Sequence, residues 1–172
     1  MFVSVIDYKK SWSIKLTKRI NSSKEEIWNL ISSPNNLELF HPFCKSNKII
    51  KWPGEGSLDE LIYLNDFKLI RNFIEWRENE GYKLLIGRKN GKKSLVIWEI
   101  FEENSSVNLS IEVYPHFLRE KSKIFSFIPH YFIVKPNLKK YLNSVLSGLD
   151  WYLINKKNIP ENYFGKHKWF SK

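Results

Sequence analysis

Six extended segments follow one another between residues 46 and 114 with almost no chain to spare between them: 46–52, 57–64, 67–77, 81–89, 93–101 and 106–114. Turn-forming residues separate them, namely Pro53-Gly54-Glu55-Gly56, Asn65-Asp66, Asn79-Glu80-Gly81, Asn90-Gly91 and Asn104-Ser105. Asn90-Gly91 is the strongest turn signal, because a two-residue hairpin turn with positive φ at both positions favours that pair. A parallel crossover needs a dozen or more residues, so connections this short force each strand antiparallel to its predecessor. The product is a meander, and a twisted meander curls.

The flanking chain supplies what such a sheet packs against. Residues 12–20 alternate, with Trp12, Ile14, Leu16 and Ile20 on one face and Ser13, Lys15, Thr17 and Arg19 on the other, which predicts a half-buried strand. Ser22 with Glu25, or Ser23 with Glu26, has the spacing of a capping box and predicts a short helix through Ile27, Trp28, Leu30 and Ile31. Pro34 suits the first turn of a second short helix through Leu37 and Phe40. After an irregular apolar stretch at 115–135, Leu138, Tyr141, Leu142, Val145, Leu149 and Tyr152 recur at three- and four-residue steps. That stripe predicts a long helix over 136–157, with Lys156 and Lys157 in a last turn where cations complement the helix dipole. One α+β domain over 1–172 is expected, its core at about 12–157 and a tail at 158–172. A single helix against the concave side of a curled sheet does not fill the space, so an apolar gap between the two is expected as well.

Composition narrows the function classes. Hydrophobic residues make up 42% of the 172 and aromatic residues 16%, enough for a packed interior. The single cysteine, Cys44, rules out an intramolecular disulfide and a cysteine-based metal site. No stretch approaches the roughly 20 apolar residues of a membrane span, and the first residues lack the pattern of a secretion signal; a soluble cytoplasmic protein is expected. The formal net charge of +10 would suit a nucleic-acid partner, but the lysines come singly or in pairs along the whole chain and argue against one. His41, His116, His130 and His167 have no second ligand at metal-binding spacing, and no metal or cofactor is expected.

The element order resembles the START and polyketide-cyclase-like superfamily (SRPBCC), whose helix-grip fold wraps a curved antiparallel sheet of about seven strands around a long C-terminal helix. The likeness is carried by the opening strand leading into Asn-Ser-Ser-Lys-Glu-Glu-Ile-Trp-Asn-Leu-Ile at 21–31, by Ser-Pro-Asn-Asn-Leu at 33–37 and by Phe-His-Pro-Phe at 40–43. Gly-Glu-Gly at 54–56, Asp-Glu-Leu-Ile-Tyr at 59–63, Arg-Asn-Phe-Ile-Glu-Trp at 71–76 and the terminal helix continue it. The insertion at 115–135 and the aromatic tail at 162–170 resemble a bacterial branch of the superfamily. The resemblance implies a fold with two short helices after the first strand and says less about function, since the superfamily spans lipid carriers, receptors and cyclases.

Candidate site residues follow from which faces meet the gap. If Phe67, Leu69 and Phe73 face inward, Arg71 and Glu75 project into the gap, and Glu99 joins them if Leu95, Ile97 and Phe101 point the same way; otherwise these charges form salt bridges on the convex surface. Tyr63, Trp98, Trp28 and Trp76 are pocket candidates or ordinary core. Tyr141 and Val145 belong to the helix stripe and would line the gap from the other side. The leading expectation is binding or transport of a small hydrophobic ligand, lipid-like or aromatic, without catalysis. A cyclase or dehydratase using Glu75, Glu99, His41 or Arg71 is the alternative, and a basic module for RNA or a protein partner is the third reading. The lysine-flanked apolar stretch at 121–135 reads either as a pad under the helix, which is favoured, or as a transient contact with an anionic membrane.

Overall fold

The computed structural model describes residue 8 and residues 11–116 and 130–172. Its strands are β1 (Ile14–Arg19), β2 (Cys44–Lys51), β3 (Leu58–Tyr63), β4 (Lys68–Arg77), β5 (Gly81–Gly87), β6 (Ser94–Glu103) and β7 (Ser106–Tyr114). Two short helices, α1 (Lys24–Ile31) and α2 (Leu37–Phe40), follow β1, and a π-helical turn at His130–Val134 runs into the long helix α3 (Lys135–Asn155). The seven strands form one antiparallel sheet in the order β1-β7-β6-β5-β4-β3-β2, so the meander is continuous and β1 closes onto its last strand. The fold class is the α+β helix-grip arrangement expected. Among the described residues, no helix is long and apolar enough to cross a membrane.

Local chemistry explains most boundaries, and in three places it overrides the simple sequence rule. At α1, Ser23 Oγ accepts from the Glu26 backbone N–H at 3.0 Å, one half of the capping box; the Glu26 carboxylate turns instead to the Ser22 hydroxyl and to Lys156 Nζ. Lys156 is correspondingly outside α3. It is the C-cap, at a left-handed φ of 53°, and ties the helix end to α1 through that ion pair. The two-residue turn with both φ values positive sits at Asn104-Ser105 (48° and 57°), where Glu103 pairs with Ser106; Asn90 and Gly91 are not in the left-handed region. The β5–β6 ladder stops at Ile86 opposite Ser94, leaving a longer loop at 88–93.

The third departure decides which side chains face the interior. Along β4, Phe73 pairs with Leu84 but Glu75 pairs with Lys83, so Ile74 is an extra, bulged residue. Strict alternation would have carried Glu75 inward behind Phe73. The bulge shifts the phase, and Trp76 turns in to stack on Tyr82 at 5.8 Å while Glu75 turns out. There it meets Lys83 Nζ at 2.6 Å and Arg77 Nε at 3.0 Å.

α3 lies across the concave face and buries Leu138, Leu142, Val145, Leu146, Leu149 and Leu153. Gly148 permits its closest approach: a Cβ there would stand 2.1 Å from the Phe40 carbonyl oxygen, so a side chain would push the helix off α2. A smaller cluster of Tyr8, Leu95, Ile97 and Tyr114 packs on the opposite face of the sheet. The tail folds back toward α2, with Ile159 N–H donating to the Leu39 carbonyl and Asn162 N–H to the Pro42 carbonyl, both at 2.9 Å. Of the 121–135 stretch, residues 121–129 lie outside the described residues; Phe132 and Ile133 are exposed and Val134 is buried.

Candidate functional site

The concave face of the sheet and α3 enclose a cavity of about 720 Å³. Leu61, Leu84, Val96, Trp98 and Ile111 line it from the sheet, and Leu138, Tyr141, Leu142 and Val145 from the helix. At one end the loops joining β3 to β4 and β5 to β6 contribute Asn65, Phe67, Arg88 and Lys92, with Arg88 lying 5.2 Å over the Phe67 ring. The shortened β5–β6 ladder is what brings the 88–93 loop to this rim. The tail completes the wall with Trp169 and Phe170. Phe170 stacks on Tyr63 with ring centroids 4.1 Å apart, lies 4.8 Å from Tyr141, and is backed by His167 at 5.2 Å.

The cavity's polar side is small and centres on one ion pair and one chain of rings. Arg71 reaches in from β4 but is bound by Asp59, opposite it on β3, through Nε–H to Oδ1 at 2.8 Å and Nη2–H to Oδ2 at 2.5 Å. Nη2 also reaches Asn47 Oδ1 at 3.3 Å and Asn36 Oδ1 at 3.5 Å. Asp59 is fully buried and Arg71 is 3% exposed, so this is an interior ion pair held in a polar cage. Burial works against the Arg71 charge, and the Asp59 carboxylate more than offsets it, leaving the guanidinium's pKa above its usual value.

Beside the cage runs a chain of three rings. His41 Nδ1 accepts from the Phe43 backbone N–H at 3.2 Å, which fixes the proton of the neutral imidazole on Nε2. Nε2 lies 2.8 Å from the Tyr141 hydroxyl, which lies 3.0 Å from the Tyr63 hydroxyl. Burial holds His41 down to about 3, and the nearby Arg71 charge pushes the same way, so the ring is uncharged at neutral pH. Burial likewise raises Tyr63 well above the usual phenol range and pushes Tyr141 up to about 12. Cys44, half-buried at the start of β2, is held by burial up to about 12 and is a thiol rather than a thiolate.

The residues singled out from sequence divide by face. Tyr63, Arg71, Trp98, Tyr141 and Val145 all line the cavity, as does His41. Phe73 is on the same face but is sealed into an aromatic cluster with Trp52, Trp76 and Tyr82. Trp28 packs edge-on to Trp76 in that cluster. Glu75 and Glu99 do not join them: the Ile74 bulge turns Glu75 out, and Glu99 follows Leu95 and Ile97 onto the convex face, where it pairs with Lys15 at 3.0 Å. Sequence reasoning missed Asp59, Asn36, Asn47 and the tail aromatics. The signal for Asp59 was present, since it shares a period-two face with Leu61 and Tyr63. The tail offered no periodicity to read.

No protein-family model and no curated protein sequence matches the chain. Solved structures do match in fold. DynU16, a protein from the dynemicin biosynthetic locus, superposes with a TM-score of 0.64 at 10% identity over 85% of this chain, which spans 48% of that longer one. TTHA0849 from Thermus thermophilus gives 0.65 at 13% identity, covering 84% of this chain and 99% of the other. Ara h 8.0201 gives 0.63 at 12% identity, covering 83% and 97%. With the sheet order, the gripped terminal helix and these superpositions in agreement, the chain has the helix-grip fold.

Proposed function

We propose that this protein binds a small hydrophobic molecule, lipid-like or aromatic, in the cavity between sheet and α3, and holds it without transforming it. The observation that carries this reading is the cavity itself: about 720 Å³, lined chiefly by aliphatic and aromatic side chains, within the usual 300–1,000 Å³ of small-molecule sites. Removing apolar ligand surface from water supplies roughly 25 cal/mol per Å² before the costs of ordering. The fold neighbours are compatible with a ligand-binding or cyclase-like role, and the polar wall favours the first. Glu75 and Glu99 face away from the cavity, Arg71 is committed to Asp59, and His41 does not take up a proton near neutral pH. A proton-shuttling cyclase would need at least one of them available. The basic-module reading gains little, since Lys15, Lys18, Lys45, Lys83 and Lys156 are each paired with a carboxylate, at scattered positions.

Native mass spectrometry of the protein purified from its own cells, followed by organic extraction, tests the reading. The expected result is one co-purifying hydrophobic molecule per chain. Repeated recovery of empty protein that also fails to take up apolar fluorophores would overturn it.

A further inference from the structure

The ring chain at the cavity wall holds more donors than it uses. Neutral His41 offers Nε2–H, and Tyr141 and Tyr63 each offer one O–H, three protons in all. Only two hydrogen bonds join the three groups, His41 to Tyr141 and Tyr141 to Tyr63. Because His41 Nδ1 is occupied as an acceptor by the Phe43 N–H, the ring cannot take a proton from either tyrosine. Whichever way the tyrosine pair is oriented, one hydroxyl proton is left without an acceptor among the described residues. Both tyrosines line the cavity, and Tyr63 is 2% exposed, so that proton has little access to bulk water. A buried donor without an acceptor is costly, roughly 1–3 kcal/mol. The ring positions are fixed by Phe170 against both tyrosines, so the donor is held in place before anything binds.

The electrostatics of the same wall limit what the acceptor can be. The Arg71 charge is neutralised by Asp59 at bidentate contact, and His41 contributes none. An ionised carboxylate or phosphate placed there would be a third buried charge beside a pair that is already balanced. We propose that the ligand bears a neutral oxygen acceptor, a ketone, quinone or ester carbonyl, and that the Tyr63–Tyr141 pair donates its uncommitted hydroxyl proton to it while the apolar walls hold the rest of the molecule. This assignment rests on the ligand-binding reading above and narrows the ligand to hydrophobic carbonyl compounds.

Two probes of one shape separate the outcomes: 2-acetylnaphthalene, and 2-isopropenylnaphthalene, in which the carbonyl is replaced by a carbon–carbon double bond. The full chain is titrated with each, and the carbonyl stretch of carbon-13-labelled ketone is followed by infrared difference spectroscopy. Bound ketone is expected to absorb at lower wavenumber than in an alkane solvent. In the triple variant His41→Leu, Tyr63→Phe, Tyr141→Phe, which also removes the Nε2–H that loss of Tyr141 would free at the cavity wall, the shift disappears and ketone affinity falls by about fivefold relative to the hydrocarbon. Either single variant keeps one hydroxyl and retains a shifted band. The 2-naphthoate anion is expected to bind at least about tenfold more weakly than the ketone. Binding of both neutral probes with an unshifted carbonyl in the unsubstituted protein would overturn this inference alone, and naphthoate binding as tightly as ketone would overturn its neutral character. Binding of neither neutral probe would overturn the cavity reading and this inference with it.

Discussion

Replacing Asp59 with alanine leaves the Arg71 guanidinium in the interior without its counter-charge. Asp59 is fully buried and supplies the two shortest bonds to Arg71, 2.8 and 2.5 Å. What remains are the amide oxygens of Asn47 and Asn36 at 3.3 and 3.5 Å and the face of the Phe73 ring 5.3 Å from the guanidinium carbon, none of which carries a counter-charge. Removing one member of such a pair costs about 3–5 kcal/mol, most of it the penalty of the stranded charge rather than the worth of the bridge. At about 2.1 cal/mol/K of unfolding entropy per residue, a 172-residue chain converts that loss into a drop in Tm of about 8–14 °C. Replacing both members with apolar groups, Asp59→Leu with Arg71→Met, removes the stranded charge and is expected to recover most of the loss, to within about 2 kcal/mol of the unsubstituted protein. Urea unfolding followed by tryptophan fluorescence reads both variants, and the neutral denaturant avoids screening the charge under test. A loss of less than about 1 kcal/mol for Asp59→Ala, or a double variant as unstable as the single one, would refute the reasoning that the pair is buried and mutually dependent.

Three further outcomes follow from the same geometry. The unfolded chain takes up a proton on His41 near the ordinary value of 6.5, whereas the folded one does so only near 3; stability is therefore complete above about pH 6.5 and is lost progressively as pH falls toward 3. Between pH 7 and 5, His41 contributes a loss of about 2 kcal/mol that a His41→Gln variant should lack, and identical pH slopes in urea unfolding would contradict this. Gly148→Ala, which on an isolated helix would gain about 1 kcal/mol, should instead cost about 1–3 kcal/mol because the new methyl meets the Phe40 carbonyl oxygen at 2.1 Å; calorimetry showing a raised Tm would count against the tight α2–α3 contact. Glu75→Ala and Glu99→Ala remove solvent-facing pairs and should each change stability by less than about 1 kcal/mol while leaving apolar-probe affinity unaltered, so a lost affinity in either would put that carboxylate back in the site.

The architecture was legible because its signals are long and redundant. Six alternating segments with turn residues between them admit one pairing pattern, and the stripe from Leu138 to Tyr152 has one large surface to bury against. What was not legible turns on single residues. The Asn65-Asp66 dipeptide reads as a two-residue turn, which would set Asp59 opposite Asn72. The chain instead makes a three-residue loop over 64–66, with Asp66 at a φ of 65° and the Tyr63 N–H bonded to the Phe67 carbonyl, and Asp59 moves opposite Arg71. A one-residue slip in register exchanges the faces, so the ion pair that neutralises the site could not be read from spacing. The same holds for Glu75, whose direction depends on one bulged residue, and for Asn90-Gly91, whose intrinsic preference yields to the rest of the 88–93 loop. Tyr63 meets Tyr141 across 78 residues of sequence, and Phe170 meets Tyr63 from a tail without periodicity; contacts of that range have no local signature.

The cavity is the central claim, and filling it is the most direct test. Isothermal titration of the unsubstituted protein with the neutral fluorophore 1-aminoanthracene, repeated at several temperatures, is predicted to give one site with a negative heat-capacity change, as burial of apolar surface requires. Substituting Val96 and Val145, which face the cavity from β6 and α3, with tryptophan together should abolish that binding while the protein still unfolds cooperatively. Undiminished binding to a folded double variant would place the ligand elsewhere and contradict the account.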